Sequence, residues 1–210
     1  VSMPEGAMNV DWKALAKTTR ALAKVVNTAD LIRIKTPNGS SLSFSTKGRK
    51  ALADTGILTK RGAFGNLPAG EVFLAPVEGS AQGRLVLEWG PTSQLASPVT
   101  LTIQAGYVAD ISGTDEYAEY LRAKLAERRD NGNIAELGIG TNGSAKRPDN
   151  ILESEKIFGT IHIALGDNSS FGRTVKTPFP QDFVLFRPTV SLSHKNGSRK
   201  GILKAGKFRY

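Results

Sequence analysis

The sequence predicts an α+β domain made largely of antiparallel strands, with two or more amphipathic helices. Apolar residues recur at helical spacing in only two stretches, residues 12–26 and 115–130. Elsewhere short alternating or wholly apolar runs follow one another closely. Gly, Pro and Ser clusters separate these runs, so most connections are tight turns, and strands outnumber helices.

In chain order, Asp11 is placed to cap a helix whose residues Trp12, Leu15, Thr19, Leu22 and Val26 step by three and four, ending near Asn27. LIRIKT and SLSFST flank Pro37-Asn38-Gly39, where Asn-Gly favours the tight turn of a hairpin. Lys47 to Gly65, rich in Gly and basic residues, reads as a long loop that crosses to another part of the molecule. EVFLAPVEG, RLVLEW, VTLTIQAG and YVADIS then read as a β meander.

Thr114 is the expected cap of a second helix, DEYAEYLRAKLAERRD. Its acidic start and basic end suit the helix dipole, and Tyr117, Leu121 and Leu125 form one apolar stripe. Asn131 and Gly132 stop it, and the short strands KIFGTIHIAL, DFVLF, PTVSLS and GILKAGKF complete the chain.

With 210 residues and 40% hydrophobic content, the chain is able to bury the core of one domain, expected to span 1–210. The absence of cysteine removes disulfides, thiolate metal sites and cysteine nucleophiles. A metal would therefore rest on oxygen and imidazole ligands, which suit zinc, cobalt, manganese or iron. No run of about eighteen apolar residues exists, so a membrane-spanning helix is not expected. VSMPEGAMNVDW carries neither a signal peptide nor an initiating Met, from which we expect a cytoplasmic protein whose upstream part is not included.

The net charge of +9 raises the question of nucleic acid. The basic clusters, Lys47 to Arg61 and His194 to Arg209, lack the interleaved aromatics of RNA-binding sheets, so a solvated basic surface is the expectation and a nucleic-acid partner is not. Two motifs point elsewhere than they spell. Gly138, Gly140 and Gly143 form G-x-G-x-x-G, yet SAKRPDNILE follows, with no helix to receive a pyrophosphate. The Asn-x-Ser sequons at Asn38, Asn142, Asn168 and Asn196 carry no weight without a secretory signal.

Four residues interrupt or open apolar strands and are the candidate site. Glu71 opens EVFL, Glu136 sits in IAELGIG, His162 lies between Ile161 and Ile163, and Asp182 opens the run FVLF. A buried carboxylate is costly unless a cation answers it, and one imidazole with three carboxylates suits one or two divalent ions. Each also has a purely structural explanation. His162 could be a satisfied core histidine, Glu71 and Glu136 could pair with Arg or Lys or end in water, and Asp182 could close a turn.

NLPAGEVFLAP, AELGIGTN, ILESEKIFGTIHIALGDNSSFG and FVLFRPTVSL together resemble the aminopeptidase T-type metallopeptidases. They are closer still to the leucyl-aminopeptidase-like branch that includes the iron-dependent dihydroxypyridine ring-opening dioxygenases. The resemblance implies the C-terminal, metal-carrying domain type of that superfamily, with its upstream α/β domain missing here, and a homodimer. It matches Glu71, Glu136, His162 and Asp182 to metal ligands, with Glu71 a bridging ligand or the catalytic base. One departure stands out: the superfamily's His-x-Asp is Pro180-Gln181-Asp182, so one imidazole ligand is lost. The family's tyrosine after the His is also absent from Ser169-Ser170-Phe171, and His194, in a turn, is no replacement. The main expectation is a metal-dependent aminopeptidase acting on peptides, impaired at one ligand. The alternatives are a non-catalytic descendant with a binding or structural role, and an iron-dependent ring-opening dioxygenase acting on a small molecule.

Overall fold

The computed structural model describes residues 6–171 and 173–209. The start of the chain, on which the reading of a missing upstream part rests, has its first five residues outside that range.

Asp11 caps α1 (Trp12–Val26) as expected, its carboxylate accepting from the amides of Lys13 and Ala14, and Leu15, Leu22 and Val26 form the buried stripe. β1 (Leu31–Lys35) and β2 (Ser41–Ser45) make the expected hairpin. β3 (Leu52–Asp54) then appears inside the stretch expected to be loop. It is three residues long at a sheet edge, too short for its alternation to register in the sequence. The crossing itself is borne out, because β2 and β3 belong to different sheets.

β4 (Glu71–Leu74) pairs with β3 and does not belong to the meander expected for it. The meander is β5 (Gln82–Trp89), β6 (Gln94–Gln104) and β7 (Tyr107–Ser112). α2 (Glu116–Glu127) follows, capped by Asp115 rather than Thr114, with Leu121 fully buried. β8 (Ile134–Gly140), the single turn α3 (Ile151–Ser154), β9 (Ile161–Gly166) and β10 (Pro180–Leu185) come next, then β11 (Thr189–Ser193), β12 (Arg199–Lys204) and β13 (Lys207–Phe208).

These strands form two sheets in which all pairing is antiparallel, so the α+β expectation is borne out. One has the order β13-β12-β11-β1-β2-β5-β6-β7 and the other β10-β9-β8-β4-β3. A single core joins them. Val72, Leu74, Leu137, Ile139, Ile161, Ile163, Phe183 and Leu185 of the smaller sheet belong to the same cluster as Ile32, Phe44, Leu85, Leu101 and Leu192 of the larger. Because side chains alternate along a strand, the residues between them face the other way, and that second face of the smaller sheet carries the site.

Candidate metal centre

Strand register lays the site out. Glu71 pairs with Gly140 and Phe73 with Gly138, while Gly138 pairs with His162, Glu136 with Ala164, and Ala164 with Asp182. Directly paired residues share a face, so Glu71, Glu136, His162 and Asp182 all project from the face opposite the core. The four converge on one cavity of about 730 Å³, whose walls also include Leu52, Phe64, Phe73 and Leu152.

Glu71, Glu136 and His162 are closest, each offering one ligand atom within 4.8 Å of the others. His162 Nε2 lies 3.3 Å from Glu136 Oε1, and Nδ1 lies 3.7 Å from Glu71 Oε2. Asp182 lines the same cavity but stands outside that tight group.

Gly138 is what permits this arrangement. A Cβ there would stand 1.8 Å from His162 Cε1, so the imidazole lies across β8 in space that only glycine leaves open. Gly140 does the equivalent for another side chain. A Cβ on it would come within 2.1 Å of the Ile157 carbonyl oxygen and 2.8 Å of the Lys156 carbonyl carbon, so the backbone of Lys156 and Ile157 packs directly on β8. That packing brings Lys156, 1% exposed, to Glu71. Its Nζ donates to Glu71 Oε1 at 2.8 Å and to Glu155 Oε2 at 2.7 Å. The two glycines thus have local packing roles, and residues 141–150 after them form turns, with only the single helical turn α3 beyond, so no helix starts at the motif to receive a pyrophosphate.

Lys156, Glu155 and Asp54 were not singled out from the sequence. Asp54 pairs with Glu71 across β3 and β4 and reaches the cavity, as does Glu155. The structural explanation open for Glu71, pairing with a lysine, is therefore realised through one of its oxygens. The turn explanation for Asp182 is not, since it lies within β10.

The electrostatics follow from burial. Desolvation raises the Glu71 carboxyl to about 7, with His162 and Lys156 pulling against the rise. Burial likewise raises Asp182 to about 6. For His162 burial works toward a lower value, but the hydrogen bond to Glu136 and the charge of Glu71 prevail and raise the imidazole to about 10. Burial would also lower the Lys156 ammonium, and Glu71 and Glu155 outweigh it, holding it above the ordinary lysine range.

The donor set fits a divalent cation. Asp54, Glu71, Glu136, Glu155 and Asp182 bring five carboxylates to one cavity, against one ammonium and one imidazole. Among the described residues, Glu71 Oε2 and His162 Nδ1 are buried without a hydrogen-bond partner, and both belong to the tight group. The set is carboxylate-rich and does not contain the two imidazoles of a 2-His-1-carboxylate triad. Residue 180 projects from the same strand face as Asp182, and it is proline. His194 is far from the cavity by topology, in the β11–β12 turn, where its Nδ1 bonds the Thr28 carbonyl. The sequons are also accounted for at two positions: Asn142 and Asn168 are fully buried, and Asn142 holds the Ala7 and Ala69 carbonyls.

Comparison with known proteins places the chain among relatives by sequence and by fold. The sequence profile of the 2,5-dihydroxypyridine 5,6-dioxygenase (NicX) family matches residues 8–205. The 2,5-dihydroxypyridine 5,6-dioxygenase of Pseudomonas putida KT2440 is 26% identical over 191 residues, covering 83% of this chain and 54% of that protein. The solved structure of 2,5-dihydroxypyridine dioxygenase from that organism superposes with a TM-score of 0.78 at 24% identity, over 94% of this chain and 62% of the other. Wild-type AmpT from Thermus thermophilus superposes with a TM-score of 0.72 at 16% identity, over 95% of this chain and 55% of the other. The chain spans little more than half the length of the relative it matches by sequence. At these identities the two structures speak for the fold. Of the two enzymatic expectations the dioxygenase is the better supported, because profile and sequence both point to it, whereas the likeness to AmpT is one of fold.

Proposed function

The chain belongs to the 2,5-dihydroxypyridine 5,6-dioxygenase family, and on that premise we propose that it is the metal-carrying part of an oxygen-dependent enzyme that opens a hydroxylated pyridine ring. The observation that carries the proposal is the convergence of Glu71, Glu136 and His162, with Asp182 beside them, on one cavity with an apolar wall. These four side chains hold a divalent ion, and iron takes the place that zinc, cobalt or manganese would have in a peptidase. Bound iron supplies the redox chemistry toward dioxygen.

The protein's own part is to bind and orient. Glu136 fixes the imidazole through His162 Nε2, and Lys156 fixes Glu71 through Oε1. Leu52, Phe73 and Leu152 offer a flat heterocycle an apolar surface facing the carboxylates, the usual division of labour in a small-molecule site. The base role expected of Glu71 belongs to the hydrolytic scheme, which the carboxylate-rich donor set suits; the family match is what favours the dioxygenase over it.

The test is oxygen uptake by the chain loaded anaerobically with ferrous iron and given 2,5-dihydroxypyridine. Uptake that disappears in His162→Ala is the expected result. Iron that binds in the cavity without uptake would end the dioxygenase reading. A second reading, a non-catalytic descendant, is favoured by Pro180, which removes an imidazole from the face where Asp182 stands. It predicts weak iron retention together with binding of the heterocycle in its intact form.

A further inference from the structure

Glu71 is divided between two cations, and only one of them needs to come from outside. Its Oε1 accepts from the Lys156 ammonium at 2.8 Å, while Oε2 faces His162 Nδ1 at 3.7 Å with no hydrogen-bond partner. A carboxylate that bridges two metal ions divides its oxygens in the same way, with the ions about 3.5 to 4 Å apart. The ammonium also holds Glu155 Oε2 at 2.7 Å, so two carboxylate oxygens that would serve a second ion are already engaged.

We propose that Lys156 is a built-in second cation, which limits this centre to one divalent ion per chain by occupying the position a second ion would need. The inference rests on the metal-binding reading above and deepens it. Lys156 is a positioning residue that acts through Glu71. Its placement is set by backbone, because the Lys156 and Ile157 main chain lies on Gly140, directly across from Glu71 in the sheet. Being 1% exposed, the ammonium cannot leave for solvent without breaking both ion pairs.

The test uses the full chain and manganese(II) alone, with stoichiometry measured by equilibrium dialysis and the spin state by electron paramagnetic resonance. The wild type is expected to bind one ion with the signal of an isolated manganese. Lys156→Met, which keeps the volume and loses the charge, is expected to bind two with an exchange-coupled signal, and Lys156→Arg to stay at one. Two tightly bound coupled ions in the wild type would overturn the proposal, even if Lys156→Met failed to fold. A folded Lys156→Met that remains at one ion would also overturn it. A wild type that binds no manganese, ferrous or zinc ion sinks the metal-binding reading itself and this inference with it. The two failures are thereby distinguishable.

Discussion

The placement of His162 depends on an absent side chain. The imidazole crosses β8 over Gly138, and a methyl group there would meet the ring at 1.8 Å. Gly138→Ala should therefore push the ring off Glu136 and away from Glu71 while leaving both strands able to pair. Overpacking of this kind costs roughly 1–3 kcal/mol, and displacing a ligand's support typically costs about 10–100-fold in metal affinity. Urea unfolding and manganese titration should show both losses. Gly143→Ala, where a Cβ meets nothing, should show neither. An unaltered affinity in Gly138→Ala would mean that His162 is not a ligand. Glu71, Glu136 and His162 were legible in the sequence because a polar residue inside an apolar strand is conspicuous. Gly138 and Gly140 were not, since their role appears only once a neighbouring strand lays a ring or a peptide on them. Lys156, Glu155 and Asp54 were hidden for the opposite reason: in SEKIFG and LADTG a charged residue looks like any solvated one.

At the level of elements, α1 and the β1–β2 hairpin were legible because cap, periodicity and Asn-Gly turn all point the same way. The change of sheet after β4 was not. The segment leaving it looks like an ordinary turn, and what holds it is a tie between loops distant in sequence. Glu78, just after β4, pairs with Arg49 from the β2–β3 connection and accepts from Asn168, which follows β9. Partial burial pushes the Glu78 carboxyl upward, but its own backbone amide, Arg49 and Asn168 prevail and hold it below the ordinary range. A carboxyl lowered on folding contributes stability that is present above its unfolded pKa and is lost as pH falls through the folded one. Glu78→Gln should thus cost roughly 1.5–2 kcal/mol at neutral pH, at the low end of the range for hydrogen bonds to a charged group. The gap in urea midpoint from the wild type should close as pH drops below about 4.5. A gap that persists unchanged at pH 3 would show that the charge is not what ties these loops.

For the whole molecule, the sign of the net charge and the sign of the site are opposed. The chain carries +9, whereas five carboxylates surround the cavity against one lysine. Overall charge gave no hint of a cation site, and the order of motifs along nearly the full length did, because it fixes which strands lie side by side. The proposed ligands Glu71, Glu136 and His162 come from β4, β8 and β9, with Asp182 beside them on β10, neighbours in one sheet whose other face is part of the common core. An ion that binds these strands only when they are assembled adds its binding energy to the stability of the entire fold. At about 100 times its dissociation constant that is about 2.7 kcal/mol. For a chain of this size each kcal/mol moves the unfolding temperature by about 2–4 °C, so manganese should raise Tm by roughly 5–11 °C. Excess chelator should reverse the rise, and His162→Ala should abolish it. Calorimetry that finds manganese bound stoichiometrically yet Tm unmoved would place the ion somewhere other than on these strands.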